Sequence, residues 1–204
     1  MSKWSYEDVQ FMGVGGNQFP VDQIEQVKSV MEQRDNPFEA MLCLDREFDQ
    51  LPFLESNIDY FIDSGVYEEA LVDIYVGLRM PCRAWALETW EYFFSMADEK
   101  MLMMAPNIPF SPASTTFHIY RGCIREGLRA ISWTMDKEKA SWFANIYQKN
   151  LGENTGVYEF TVSLDQVAFC ANDREEFEVV LNPCNGILDT IEHEAQLITE
   201  RVYD

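Results

Sequence analysis

The spacing of apolar residues changes at one segment with three prolines, residues 106–116. Before this segment, apolar side chains recur every three or four residues, which is the period of a helix with one buried face. After it, short runs alternate apolar and polar side chains, which is typical of strands. The sequence therefore predicts a helical N-terminal region (1–105), a connector (106–116) and an α+β region (117–204).

In the N-terminal region, helices are predicted from apolar spacing and from prolines at helix starts. They are a helix after Pro20, then helices at 37–48, 54–63 and 67–79, and a helical stretch from Pro81 to the connector. Phe48 is expected on the buried face of its helix. The glycines at positions 13, 15 and 16 have neither a strand before them nor a helix directly after them, so a turn is favoured over a phosphate-binding loop.

The C-terminal region is predicted to hold several short strands and one helix. The strands are 117–121, 130–134, 157–163, 166–169 and 176–181, and the helix is 137–147. Thr134 or Asp136 is the expected N-cap of this helix. The tail from Ile187 fits a strand or a helix, and a strand is favoured.

Charge limits the kind of partner. The chain has 35 acidic and 15 basic side chains and a net charge of −20. Such a charge repels phosphates, so no direct nucleic-acid binding is expected, and it attracts basic protein surfaces. Mimicry of nucleic acid is one interpretation, but solubility is favoured because the acids are spread along helical faces. No apolar run approaches a membrane span, and the five scattered cysteines suit a reduced, cytoplasmic protein with no membrane association.

The segment 174–181 places two acids two positions apart in a predicted strand. Glu176 and Glu178 would share one face, roughly 6.5 Å apart. The opposite face is expected to pack on a core and to carry Phe177, Val179 and Leu181. Two acids held this close suit chemistry in which one grips a substrate and the other handles a proton or a cation. An antiparallel strand with one solvated face is the structural alternative.

Two further polar patches precede the acid pair. Tyr120–Gly122 ends the first predicted strand, and Ser132–Thr134 lies in a strand directly before the predicted helix. In chain order the three patches supply a guanidinium, two hydroxyls on one strand face and two carboxylates. With these motifs in this order, segment 117–183 resembles the arginine–serine–glutamate class of the ADP-ribosyltransferase superfamily. It is most similar to small bacterial and phage mono-ADP-ribosyltransferases.

This resemblance implies a split β-sandwich of two small packed sheets around a cleft for NAD⁺, with NAD⁺ as co-substrate and no metal. It implies transfer of ADP-ribose to a protein side chain with release of nicotinamide. In the family, a glutamate at the position of Glu176 is associated with arginine acceptors. The expected target is therefore an arginine on a cellular protein with a basic surface, or on a host protein in the host cytoplasm if the chain is phage-encoded.

The resemblance also implies roles for single residues. Glu178 would stabilise positive charge on the ribose, and Glu176 would orient or deprotonate the acceptor. Arg121 would contact a phosphate or the ribose through its planar donor fork, and Ser132 would hold the ribose or orient the glutamate. The other predicted NAD⁺ contacts are Tyr120, Gly122, Thr134 and Phe143, and Phe169 is a predicted acceptor contact.

Each of these residues has a structural alternative. Arg121 could form a surface ion pair, Thr134 could cap a helix, and Phe143 could simply pack in the core. Two alternative functions stay open. One is a protein with the same fold that binds without catalysis, and the other is an acidic inhibitor that occupies a basic surface of a nucleic-acid-binding enzyme. The two histidines, His118 and His193, are far apart, which is unfavourable for a histidine-based metal site.

Overall fold

The computed structural model describes residues 9–12, 17–34, 36–78 and 80–201, so the glycine-containing turn at 13–16 lies outside the described residues. The chain divides into two compact units, Met1–Ala84 and Trp85–Asp204. The predicted connector therefore lies inside the second unit, together with the helices just before it. None of the described helices is long and apolar enough to cross a bilayer.

The first unit is helical in its described residues. Its helices are α1 (Val21–Arg34), α2 (Pro37–Met41), α3 (Gln50–Ser56), α4 (Ile58–Asp63), α5 (Tyr67–Gly77) and α6 (Pro81–Ala84). The helix predicted at 37–48 is too long, because it ends at Met41, and Phe48 is 62% exposed. The segment predicted as one helix at 54–63 is two helices that meet at Asn57. The buried Asn57 amide bonds to the backbone of Gln10 and Phe53, which fixes the break.

The second unit combines helices with an antiparallel sheet, as the α+β prediction requires. Its helices are α7 (Leu87–Ser95), α8 (Glu99–Met104), α9 (Lys137–Leu151) and α10 (Ile187–Glu194). Its strands are β1 (Thr116–Cys123), β2 (Ser132–Thr134), β3 (Thr155–Ser163), β4 (Val167–Ala171), β5 (Glu178–Leu181) and β6 (Gln196–Arg201). Asp136 caps α9 by accepting from the backbone N–H of Glu138 and Lys139, at 2.8 and 3.1 Å. Of the two predicted caps, Asp136 is thus the one that the structure uses.

The described strands form one sheet in the order β4-β5-β2-β1-β3-β6. Two separate sheets were expected, whereas hydrogen bonding makes these strands continuous. The junction between β1 and β2 is narrow, because only Tyr120 and Thr134 pair across it. By contrast, β1 pairs with β3 along its whole length. The sheet therefore has two three-stranded halves that meet at one residue pair.

Two predictions about the C-terminal strands were wrong. The acid strand begins at Glu178 and not at 176, because Glu175 and Phe177 have positive φ angles of 55° and 46° that cannot continue an extended ladder. Phe177 is 42% exposed and does not face a core. The tail from Ile187 first forms α10, and only residues from Gln196 onward form a strand.

Candidate active site

The centre of the site is a hydrogen bond between neighbouring strands β2 and β5. Ser132 Oγ donates to Glu178 Oε1 at 2.6 Å. Antiparallel pairing places Ser132 opposite Val180 and Thr134 opposite Glu178, so the serine reaches the carboxylate diagonally along the shared face. Glu178 is only 5% exposed, and Ser132 is half-buried. The structure therefore brings Ser132 and Glu178 into contact, while the orienting role of Ser132 stays a prediction.

Arg121 joins β1 to β2 at the narrow junction of the sheet. Its Nε donates to the Gly127 carbonyl at 2.9 Å, and its Nη1 donates to the Ser132 carbonyl. The guanidinium is half-buried beside the residue that holds Glu178. These bonds fix its orientation, and they make a simple surface ion pair the wrong description. A contact between Arg121 and NAD⁺ stays a prediction.

Thr134 pins the turn that precedes Glu178. It is buried, and its hydroxyl donates to the Glu176 carbonyl and accepts from the Asp136 N–H. The Phe177 carbonyl accepts from the Met135 N–H at 3.0 Å, which adds a second link between the same segments. The Thr134 hydroxyl is thus bonded within the protein, where it holds this turn in place, and a contact between Thr134 and NAD⁺ stays a prediction.

The turn itself is strained. Glu175 and Phe177 are left-handed although neither is glycine, and such conformations cost about 1–3 kcal/mol each. Asn172 holds the turn closed, because its side chain accepts from Phe177 N–H at 3.0 Å and its carbonyl accepts from Glu175 N–H at 3.1 Å. Strain that the surroundings maintain in this way is characteristic of functional sites. The turn directs the Glu176 carboxylate toward the region that the Glu178 carboxylate also faces.

A cation bridges the two acids. Arg174 Nη2 lies 3.2 Å from Glu176 Oε2 and 3.4 Å from Glu178 Oε2. Exposure falls along this group, since the side chains are 33%, 21% and 7% exposed for Arg174, Glu176 and Glu178. The arginine is therefore the outermost member, and Glu178 is the innermost.

The surroundings of Glu178 act on its acidity in opposite directions. Burial is the largest influence and raises the pKa of Glu178, and the charge of Glu176 raises it further. The hydrogen bond from Ser132 and the charges of Arg174 and Arg121 lower the pKa, but they do not cancel the effect of burial. The site thus holds an acid whose ionised form depends on these three neighbours.

Three other predicted NAD⁺ contacts lie around helix α9. A methyl group on Gly122 would overlap the backbone of Ala140 and Ala144, so this glycine allows α9 to pack closely on β1, and its contact with NAD⁺ stays a prediction. Tyr120 packs against the same helix, and burial together with Glu159 raises its pKa. Phe143 is half-buried on α9, with its ring edge-to-face on Trp142 at 5.0 Å. A ring contact between Phe143 and nicotinamide stays a prediction.

The structure does not place Phe169 where an acceptor could touch it. Phe169 lies on β4, is completely buried, and stacks on Phe94 with 6.3 Å between ring centres. The aromatic surface beside the acids is formed instead by Phe177 and Phe110, whose rings meet edge-to-face at 5.8 Å. Trp133 is buried and donates from Nε1 to the Ala130 carbonyl.

Sequence reasoning missed two of these features. Arg174 was not recognised, although Arg174, Glu176 and Glu178 are charged residues at every second position. Phe110 had no local signal, because it lies in the connector and reaches the site through pairing beside β4. There Pro109 bridges to Ala171, and Asn172 N–H donates to the Ile108 carbonyl.

Within the described residues, no three His, Cys, Asp or Glu side chains are grouped as metal ligands. The donors and acceptors at the site are a guanidinium pair, a hydroxyl and two carboxylates, which can hold charged or hydroxyl-bearing organic groups. Comparisons with protein-family models, with curated proteins and with solved structures found no match to this chain.

Proposed function

We propose that this protein is a mono-ADP-ribosyltransferase that moves ADP-ribose from NAD⁺ to an arginine of another protein. The observation that carries the proposal is the convergence of Arg121, Ser132 and Glu178 from three separated strands. These residues come from the three motifs that resemble the ADP-ribosyltransferase family. The sheet is nearly divided at the β1–β2 junction, where one residue pair joins its halves, but its strands are continuous, whereas the family implies two packed sheets.

The proposed reaction balances as a substitution at a sugar carbon. The bond between ribose C1′ and the nicotinamide nitrogen breaks, and its electron pair leaves with nicotinamide, which becomes neutral. A guanidinium nitrogen of the acceptor forms the new bond to C1′ and gives up one proton. The products are ADP-ribosylated arginine, nicotinamide and a proton.

The two acids take different roles in this reaction. Glu178, ionised and held by Ser132, stabilises the positive charge that develops on the ribose. Glu176 is more exposed and accepts the proton of the acceptor, whose guanidinium is otherwise too weak a nucleophile because its pKa exceeds about 12. Arg121 keeps the Ser132 backbone in place and adds positive charge for an anionic substrate.

The net charge of −20 favours a target with a basic surface, since opposite charge raises the rate of encounter.

To test the proposal, the protein is incubated with labelled NAD⁺ and a cell lysate, and labelled peptides are located by mass spectrometry. Wild type should label arginines, and Glu178→Gln should lose about 100-fold or more of the rate. Arg129→Ala, which removes an exposed arginine paired with Asp189, is the matched control and should label normally. Label transfer that survives Glu178→Gln contradicts the proposed mechanism.

One observation favours a second candidate, an acidic interaction protein without catalysis. Arg121 already donates to two backbone carbonyls, and Arg174 already forms ion pairs with both acids, so these groups have partners within the protein. Such a protein would bind a basic surface through its net charge. Its affinity would fall steeply with salt and would be unchanged in Arg121→Ala and Glu178→Ala, whereas both substitutions should abolish transfer by an enzyme.

A further inference from the structure

The bridging guanidinium of Arg174 has the same chemistry as the acceptor in the proposed reaction. One nitrogen, Nη2, contacts both Glu176 and Glu178 at ion-pair distance. An acceptor arginine activated by Glu176 and attacking beside Glu178 would place a guanidinium nitrogen between these same two carboxylates. Two cations cannot share that position, because like charges at such separation repel.

We infer that Arg174 is an internal occupant of the acceptor subsite, and that it must move aside before an acceptor guanidinium binds. This inference rests on the proposed function and names the ligand class of one subsite, which is guanidinium compounds. Arg174 is therefore a specificity-determining residue. It occupies both carboxylates and excludes acceptors that bind more weakly than its own side chain.

The geometry allows this exchange without rearrangement of the fold. The Arg174 side chain is the most exposed of the three, so it lies on the side from which an acceptor arrives. The backbone that follows Arg174 is held by other residues, by the Asn172 side chain at Phe177 N–H and by Thr134 at the Glu176 carbonyl. A change of side-chain rotamer in Arg174 would thus free the carboxylates while the strained turn keeps them in place.

The charges of Glu176 and Glu178 favour a cation bound between their carboxylates. Arg174 is one of the groups that favour the ionised form of the buried Glu178, and Glu176 opposes ionisation. Removing Arg174 leaves two close carboxylates without their shared cation, which should increase their affinity for a guanidinium from outside. An internal competitor weakens the binding of an external ligand: the apparent affinity is the intrinsic affinity multiplied by the fraction of molecules in which the subsite is open.

The test measures binding of agmatine, a small guanidinium compound, to the full chain without NAD⁺ by calorimetry. Arg174→Ala should bind agmatine about tenfold more tightly than wild type, which is the factor for a subsite that is otherwise about 90% occupied. Adding Glu176→Gln to Arg174→Ala should remove the gain. Arg129→Ala is the control that loses an exposed ion pair elsewhere, and it should bind like wild type.

Arg174→Gln, which keeps much of the side-chain length, provides a second neutral variant, and melting curves report folding for both. Equal or weaker agmatine binding in the folded variants would overturn the inference, because Arg174 would then only hold the acids in place. Unfolding of both variants would overturn it too, since the cation would then be indispensable to the fold. Tighter agmatine binding without any NAD⁺-dependent transfer would leave the guanidinium subsite standing and would refute the proposed function alone.

Discussion

Ser132 Oγ donates a 2.6 Å hydrogen bond to Oε1 of Glu178, and this contact joins strands β2 and β5 at a buried carboxylate. Because the acceptor is charged and only 5% exposed, few other donors can replace the serine. The bond also lowers the pKa of Glu178 against the effect of burial. The hydrogen bond between Ser132 and Glu178 therefore affects the stability of the fold, the ionisation of Glu178 and the proposed catalysis.

Ser132→Ala should lower the free energy of unfolding at neutral pH by about 1–3 kcal/mol, since a buried charged acceptor loses its donor. It should also raise the pKa of Glu178 further. Urea denaturation measures the first effect, and carboxyl NMR titration measures the second. Ser141→Ala is the control, because Ser141 Oγ bonds an exposed helix carbonyl, and it should change stability by less than about 0.5 kcal/mol. A Ser132→Ala variant as stable as wild type would contradict this account.

Glu178 should make stability fall as pH rises. Its pKa in the folded state is raised above the ordinary glutamate value of 4.5, so between these two values the folded state binds more protons than the unfolded state. The free energy of unfolding contributed by this group therefore decreases from pH 4.5 up to the folded pKa and is constant above it. Glu178→Gln has no titrating carboxyl at this position, so its free energy of unfolding lacks this pH-dependent contribution.

The stability of Glu178→Gln relative to wild type should accordingly increase with pH across that window, as measured by urea denaturation at a series of pH values. A pH-independent difference between the two proteins would show that Glu178 titrates like an exposed acid. A decrease with rising pH in the stability of Glu178→Gln relative to wild type would show that the pKa of Glu178 is depressed.

Gly122→Ala should destabilise the fold by about 1–3 kcal/mol, because the added methyl overlaps the backbone of α9, which cannot move independently of the sheet. Gly77→Ala is a matched control in the first unit. There the three atoms nearest to the methyl all belong to the Arg46 side chain, which pairs with Asp73 at 3.0 Å and can shift where backbone cannot, and alanine is the better helix former by about 1 kcal/mol. Thermal melting should separate the two variants. Equal melting temperatures would contradict the assigned packing role of Gly122.

Phe169 was expected to contact the acceptor and Phe177 to pack in the core, and the structure predicts the reverse for the two rings. Phe169→Ala removes a fully buried ring and should cost about 3–5 kcal/mol of stability. Phe177→Ala removes a partly exposed ring and should cost about 0.5–1.5 kcal/mol, the value of its contact with Phe110. In the proposed enzyme Phe177→Ala should raise KM for a protein acceptor and leave KM for NAD⁺ unchanged. An unchanged acceptor KM would remove Phe177 from the acceptor surface.

The strands and the helix around the site could be predicted from the sequence, because the spacing of apolar residues and the residues that cap a helix are local features of the chain. Ser132 and Glu178 were expected at one site, and the structure brings their side chains into hydrogen-bond contact, while their function stays a prediction. The turn at 175–177 was missed because its positive φ angles are imposed on Glu175 and Phe177 by distant partners such as Thr134. The burial of Phe169 depends on Phe94, and the position of Phe110 depends on pairing beside β4, and neither relation has a local signal.

The most direct test of the central claim is the release of nicotinamide from NAD⁺ by the purified protein with agmatine as acceptor, measured by chromatography. Wild type should form nicotinamide and ADP-ribosyl-agmatine in equal amounts. Glu178→Gln should reduce both by about 100-fold or more, while Arg129→Ala should match wild type. No nicotinamide from wild type, or the same rate from Glu178→Gln, would contradict the proposal that Arg121, Ser132 and Glu178 form a transferase site.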